Sequence, residues 1–214
     1  MIRRNLVASR SSLIAQIGTI GLFIYVFSRI MTAPIIFFTG HPALNNFALL
    51  MLVQSMILVQ PTATTAEKKL GALVHGVFNL FGAICYVVAF GIVFINKTTN
   101  GGAHLHSAHA VVGLLAYVIL FINIGIGFTQ YWMPALYGGT SRAKAMYKYH
   151  RVIGYVSLFF TLLAFALATI TPYNRNLLHI SFPIMLPFMV VMTFGLAIRI
   201  RPQKFQFNLK AARN

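Results

Sequence analysis

Six stretches of some twenty or more mostly apolar residues alternate along this chain with short polar segments. They run Ser12–Ile30, Ile36–Gln60 (stopped by Pro61), Leu70–Ile95, Leu105–Gln130, Met146–Ile170 and Leu178–Ile198. Runs of about 20 apolar residues are the length at which a helix crosses a bilayer. The pattern therefore predicts an all-α membrane protein of six transmembrane helices. The first run has a basic head (Arg3, Arg4, Arg10) but is too long for a signal peptide and lacks a small-residue cleavage site, so it reads as an uncleaved anchor. The hydrophilic segments are tails and loops of about 15 residues at most. A single domain is expected over 1–214, with a core of 20–198 and basic tails at 1–11 and 199–214.

Polar residues inside such runs carry the information. His41, His75, His109 and His150 each stand near the start of a span, at steps of 34, 34 and 41 residues. Such a step is one crossing plus a loop, and consecutive crossings run in opposite directions. Parity puts His41 and His109 in one leaflet and His75 and His150 in the other. Two histidines at one depth on two parallel helices make an axial pair for a haem, and the chain has two such pairs. At i+4 from each histidine, on the same helix face, stand Asn45, Asn79, Gly113 and Gly154. Glycine there would admit a flat macrocycle, and an amide there would tune the site. The four ligands come from four helices, spans two to five, and the two irons would lie about 20 Å apart given the bilayer thickness and helical rise.

Charge orients the bundle. Of 214 residues only 8% are charged, 58% are hydrophobic, and the mean hydropathy is +0.79. Glu67 is the sole acid against 17 Lys and Arg, a net +16. Because the cations lie between apolar spans, their partners are anionic headgroups and small anions, not nucleic acid. With the amino terminus inside, 14 cations fall on the inner side (Arg3, Arg4, Arg10, Lys68, Lys69, Arg142, Lys144, Lys148, Arg151, Arg199, Arg201, Lys204, Lys210, Arg213) and 3 outside (Arg29, Lys97, Arg175). The positive-inside rule then predicts cytosolic termini, an outer pair His41/His109 and an inner pair His75/His150. The single cysteine, Cys85, excludes disulfides, iron–sulfur clusters and cysteine zinc sites. Zinc or copper would need ligands converging within about 2 Å of one ion, which parity forbids. A non-redox scaffold, or a transporter relaying protons or metal ions through histidines, stays open on the residues alone.

The segments TGHPALNNF, KKLGALVHGVFNLFG, NKTTNGGAHLHSAHAVVGLLAY and YKYHRVIGY resemble the cytochrome b561 family, over roughly residues 20–172. The likeness is to its short six-span members without an attached sensor domain. It implies two b haems, with His41 and His109 as outer ligands and His75 and His150 as inner ones. It also implies reductase activity, carrying electrons from cytosolic ascorbate to monodehydroascorbate or a ferric chelate outside. Members often carry Trp beside the fourth-span histidine, where this chain has Ala108 and Ala110. Lys68, Lys69 and Lys148 on the inner rim, and His104 and His106 on the outer, are the candidate substrate-binding residues. Membrane lipid is the surrounding partner, and a homodimer is compatible with the reading. His179 is expected to pack or cap.

Overall fold

A computed structural model describes residues 10–59, 64–200 and 205. It contains α1 (Arg10–Met31), α2 (Gly40–Leu58), α3 (Thr65–Thr99), α4 (Ala108–Trp132), α5 (Thr140–Ala168) and α6 (Phe182–Ala197). The first five are long and apolar enough to span a membrane, α6 being a shorter apolar helix. The architecture is all-α, as the hydrophobic pattern predicts.

The ends differ from expectation where local chemistry overrides hydropathy. The third helix starts five residues early, at Thr65, because Thr64 and Glu67 form a reciprocal cap: Glu67 N donates to Thr64 Oγ1 (3.2 Å) and Thr64 N to Glu67 Oε2 (3.0 Å). The only acid in the chain is thus spent on a helix terminus. The fifth helix also starts early, at Thr140, after the left-handed Gly138 and Gly139 (φ 78° and 109°) turn the chain. The sixth starts late. Leu178 belongs to a π-turn, Asn174–Leu178, closed by His179 at φ 52°, and Pro183 sits in the first turn of α6. Gln60 and Pro61, expected to end the second span, lie outside the described residues.

The helices pack as three neighbouring pairs, α2 with α3, α4 with α5 and α1 with α6, and α1 leans on α2. Small residues bring α1 and α6 together: a Cβ on Gly18 would collide with the Met192 backbone, and one on Gly195 with the Ala15 backbone. Both ends of α1 are also tied by arginine. Arg29 Nε donates to the Leu178 carbonyl (2.9 Å) at one face. At the other, Arg199 donates to Ser12 Oγ and, at 2.9 Å, to the Ile57 carbonyl. Outward positions such as Ile17, Leu80, Val87, Val118, Phe159 and Val190 are apolar and exposed, as lipid-facing surfaces are. This is an integral membrane protein.

Adjacent helices alternate in direction, so the start of α1, α3 and α5 shares a face with the end of α2, α4 and α6. Arg10, Lys68, Lys69, Arg142, Lys144, Lys148, Arg151 and Arg199 collect there. Arg29, Lys97 and Arg175 stand at the opposite face. Arg3, Arg4, Arg201, Lys204, Lys210 and Arg213 lie outside the described residues.

Candidate functional site

Four helices carry the histidines in two matched positions. His41 and His109 are the second residues of α2 and α4, while His75 and His150 are the eleventh residues of α3 and α5. Antiparallel pairing therefore brings His41 and His109 to one depth and His75 and His150 to another. The His41 and His109 ring centres are 6.3 Å apart with planes at 86°. Those of His75 and His150 are 6.0 Å apart at 83°. The histidines meet in the pairs that parity predicts.

Each ring is held by a backbone carbonyl of its paired helix. His41 Nδ1 lies 3.0 Å from the Ala89 carbonyl, His75 Nδ1 3.1 Å from Ser55, and His109 Nδ1 2.9 Å from Ala164. His150 hydrogen-bonds the backbone of Asn123. With Nδ1–H donating, the rings of His41, His75 and His109 keep Nε2 free for a metal. The four acceptors repeat: positions 41 and 55, 75 and 89, 109 and 123, and 150 and 164 are each fourteen apart on one helix. Fourteen residues are about four turns and about 21 Å. Every helix thus presents a histidine at one level and a histidine-fixing carbonyl, on the same face, at the other.

The asparagines at i+4 are put to use. Asn45 Nδ2 donates to the His41 carbonyl (2.8 Å), and Asn45 Oδ1 accepts from the Tyr117 hydroxyl (2.7 Å). Asn79 Nδ2 donates to the His75 carbonyl (2.8 Å) and to Ser55 Oγ (2.9 Å), which occupies both of its N–H groups. His75 Nε2, 3.3 Å from that same nitrogen, keeps its lone pair. A Cβ on Gly113 would meet nothing within 4 Å, an open face beside His109. At Gly154 a Cβ would come 3.2 Å from the Asn123 amide. With its nitrogen toward α5, that amide donates to the His150 carbonyl (3.0 Å) and to His150 Nδ1 (2.9 Å) and accepts from Gly154 N–H (3.3 Å).

Two features escape the sequence reading. Gly127 makes room for a ring: a Cβ there would sit 2.7 Å from His150 Cε1. Its signal was only its place four residues after Asn123. Between the two levels, the buried Tyr86 packs edge-on against Tyr117, with ring centres 5.2 Å apart.

The candidate substrate residues lie at the two faces. Lys68 and Lys69 are exposed in the first turn of α3, and Lys68 is seven residues, two turns, before His75 on the same face. Lys148 stands 5.0 Å over the Tyr149 ring. On the loop between α3 and α4, the exposed His104 lies 5.1 Å from the Phe94 ring and 3.5 Å from Thr98 Oγ1, and Lys97 Nζ donates to the Ala103 carbonyl (2.6 Å). His106 is exposed in the same loop. His179 caps, as expected: its N–H donates to the Asn174 carbonyl at 2.6 Å, closing the π-turn.

Two imidazoles bound on opposite sides of one metal, through bonds of about 2 Å, hold their ring centres about 6 Å apart. Both pairs have that spacing, and among the described residues nothing lies within 4 Å of a Cβ built on Gly113. Among the described residues, no three His, Cys, Asp or Glu side chains gather as a bare-ion site would require. At each of two depths, the paired rings are spaced as two imidazoles on one metal would be.

The family model of eukaryotic cytochrome b561 matches residues 40–178, which include all four histidines. The chain belongs to the cytochrome b561 family. Among curated relatives, it is similar to the human transmembrane ascorbate-dependent reductase CYB561, 27% identical over 97 residues covering 45% of this chain and 39% of that protein. It is 25% identical over 130 residues to the bovine protein of the same name, covering 61% of this chain and 50% of the relative. It is 32% identical over 83 residues to the human transmembrane reductase CYB561D2, covering 37% of each. The matched stretch thus spans half or less of these relatives. A cytochrome b561 of this family binds haem b, and the four histidines are donors suited to it.

Proposed function

We propose that this cytochrome b561 holds two b haems, the outer by His41 and His109 and the inner by His75 and His150, and carries electrons across the membrane. The donor is ascorbate at the basic face, taken as cytosolic, and the acceptor is monodehydroascorbate or a ferric chelate at the other. The observation that carries the reading is the pair of ring separations, 6.3 and 6.0 Å, at two depths. The names of the relatives support ascorbate and reduction.

When bound, each haem supplies reversible one-electron exchange at iron. The chain does the rest. Ala89, Ser55 and Ala164 fix the rings of His41, His75 and His109 through Nδ1, so that Nε2 would be the atom to hold a haem iron, and the Asn123 backbone holds His150. The apolar walls of α2 to α5 keep water from both sites. Lys68, Lys69 and Lys148 make the inner face attractive to an anion such as ascorbate. Lys97, His104 and His106 make the opposite loop a docking point for the acceptor. A proton relay is less well served, because three of the four rings already donate to a carbonyl and the paired rings stand too far apart to share a hydrogen bond.

The test is purified protein in sealed vesicles loaded with ferric chelate, or with ascorbate and ascorbate oxidase to generate monodehydroascorbate in place, with ascorbate added outside. A haem content of two per chain and ascorbate-driven reduction across the membrane are the expected results. A folded, colourless preparation from haem-replete cells would overturn the proposal.

A further inference from the structure

Tyr117 does not belong to either histidine pair, yet it reaches one of them. It sits on α4, eight residues after His109, and its hydroxyl crosses to α2 to donate to Asn45 Oδ1 at 2.7 Å. It thereby joins the α4/α5 pair of helices to the α2/α3 pair. The other end of the same amide is at the outer ligand: Asn45 Nδ2 donates to the His41 carbonyl at 2.8 Å and lies 3.5 Å from His41 Nδ1. The Tyr117 ring is fixed by Tyr86 (5.2 Å) and Phe90 (6.1 Å), so its hydroxyl has a defined direction.

We propose that Tyr117 is a positioning residue for the outer site, aiming the Asn45 amide so that its positive end faces His41. This rests on the two-haem reading. The physical argument is a fixed dipole in a low-dielectric interior, where oriented partial charges act strongly and an unpaired polar atom is costly. With the N–H end of the amide toward the ligand, the more positive ferric state is disfavoured relative to the ferrous one. Removing the tyrosine hydroxyl leaves Asn45 Oδ1 without its donor and frees the amide to turn. The outer iron then becomes harder to reduce. Among the described residues no tyrosine makes such a link to the inner pair: Asn79 is held by Ser55 Oγ within its own helical hairpin. The sensitivity should therefore be confined to one site.

The experiment is an anaerobic redox titration of full-length, haem-loaded protein, followed at haem wavelengths, with His109→Ala used to assign the outer component. Tyr117→Phe keeps the ring and deletes only the hydroxyl. The expected result is a shift of the outer component's reduction equilibrium toward ferric by up to about tenfold, which is 59 mV for a one-electron couple, with the inner component unmoved. Asn45→Ser should shift the same component, and the double variant should add little, because both changes cut one link. Tyr25→Phe is the control: it removes a hydroxyl that accepts from Ser181 N at 2.7 Å, between α1 and the start of α6. Retention of both haems with an unmoved outer component in Tyr117→Phe would overturn the proposal, as would equal shifts at both sites. Should Tyr117→Phe fail to accumulate, Asn45→Ser alone decides by the same criterion. Wild-type protein lacking two haem components would sink the two-haem reading itself, an outcome distinct from an unmoved Tyr117→Phe.

Discussion

His75 and Ala89 stand on one face of α3, fourteen residues apart; the first belongs to the inner pair, and the carbonyl of the second fixes the ring of the outer His41. One helix therefore takes part in both sites at once. At 1.5 Å per residue the two levels are about 21 Å apart along it. The same relation holds between His41 and Ser55, His109 and Ala164's partner helix position Asn123, and His150 and Ala164. Four straight helices, each fixing one ring and presenting another, set the separation between the sites without a moving part.

This cross-bracing makes a test of pairing. His75→Ala and His150→Ala should each remove the same spectral component, and His41→Ala and His109→Ala should each remove the other. Loss should be near complete, since one imidazole of an axial pair is gone. Difference spectra of the four variants check it. Were His41→Ala and His75→Ala to lose one shared component, both the parity of the helices and the observed pairing would be wrong.

The ring planes give a second readout. At 86° and 83° the paired imidazoles are almost perpendicular. Crossed ligands leave two iron d orbitals close in energy, so oxidised protein should give strongly anisotropic low-spin EPR signals at both sites. Rhombic signals of the kind produced by parallel imidazoles would show that the rings turn when the cofactor binds.

Much of this was legible in the chain, and what was not has a common cause. The histidines announce themselves because a polar side chain in an apolar run is rare, and the helix period gives their levels. Asn45 and Asn79 were visible as i+4 neighbours, though not Tyr117 or Ser55, which reach them from other helices. Ala89 and Ala164 could not be read at all: they act through backbone carbonyls, and alanine in a span has no signature. The early start of α3 was written in Thr64–Glu67, a capping pair that a hydropathy pattern does not register. Gly127 resembles any small residue in a packed helix until the opposing ring is in place.

Two glycines should respond in opposite ways. Ala at 127 puts a methyl 2.7 Å from His150 Cε1, which must push the inner ring out of place. Overpacking of this kind costs about 1–3 kcal/mol, and the inner component should weaken or vanish. Ala at 113 meets no protein atom within 4 Å, so in haem-free protein it should do no harm and gain up to about 1 kcal/mol of helix propensity. In haem-loaded protein it should lower outer occupancy, because the space is kept for the macrocycle. Haem titration and thermal unfolding of both forms separate the cases. Full outer occupancy in Gly113→Leu would show that the macrocycle lies elsewhere.

The last prediction distinguishes two neighbouring lysines that charge counting treats alike. Lys68 and Lys69 are both exposed in the first turn of α3, on the basic face. A helix turns 100° per residue, so Lys68, seven before His75, points along the ligand's side while Lys69 is rotated well away from it. If the role of these residues is only to orient the chain in the membrane, the two are interchangeable, since the positive-inside rule counts charges without regard to direction. If one recruits the anionic donor to the inner site, it is Lys68. Lys68→Ala should therefore raise the ascorbate concentration needed for half-maximal reduction several-fold, the loss of one well-placed attraction of about 1 kcal/mol. Lys69→Ala should change it little. Neither variant should bleach a haem, and the Lys68→Ala defect should fade as salt rises and screens the wild-type advantage. Stopped-flow reduction of the three proteins at low and high ionic strength is the measurement, and equal defects in the two variants would leave the lysines as orientation signals.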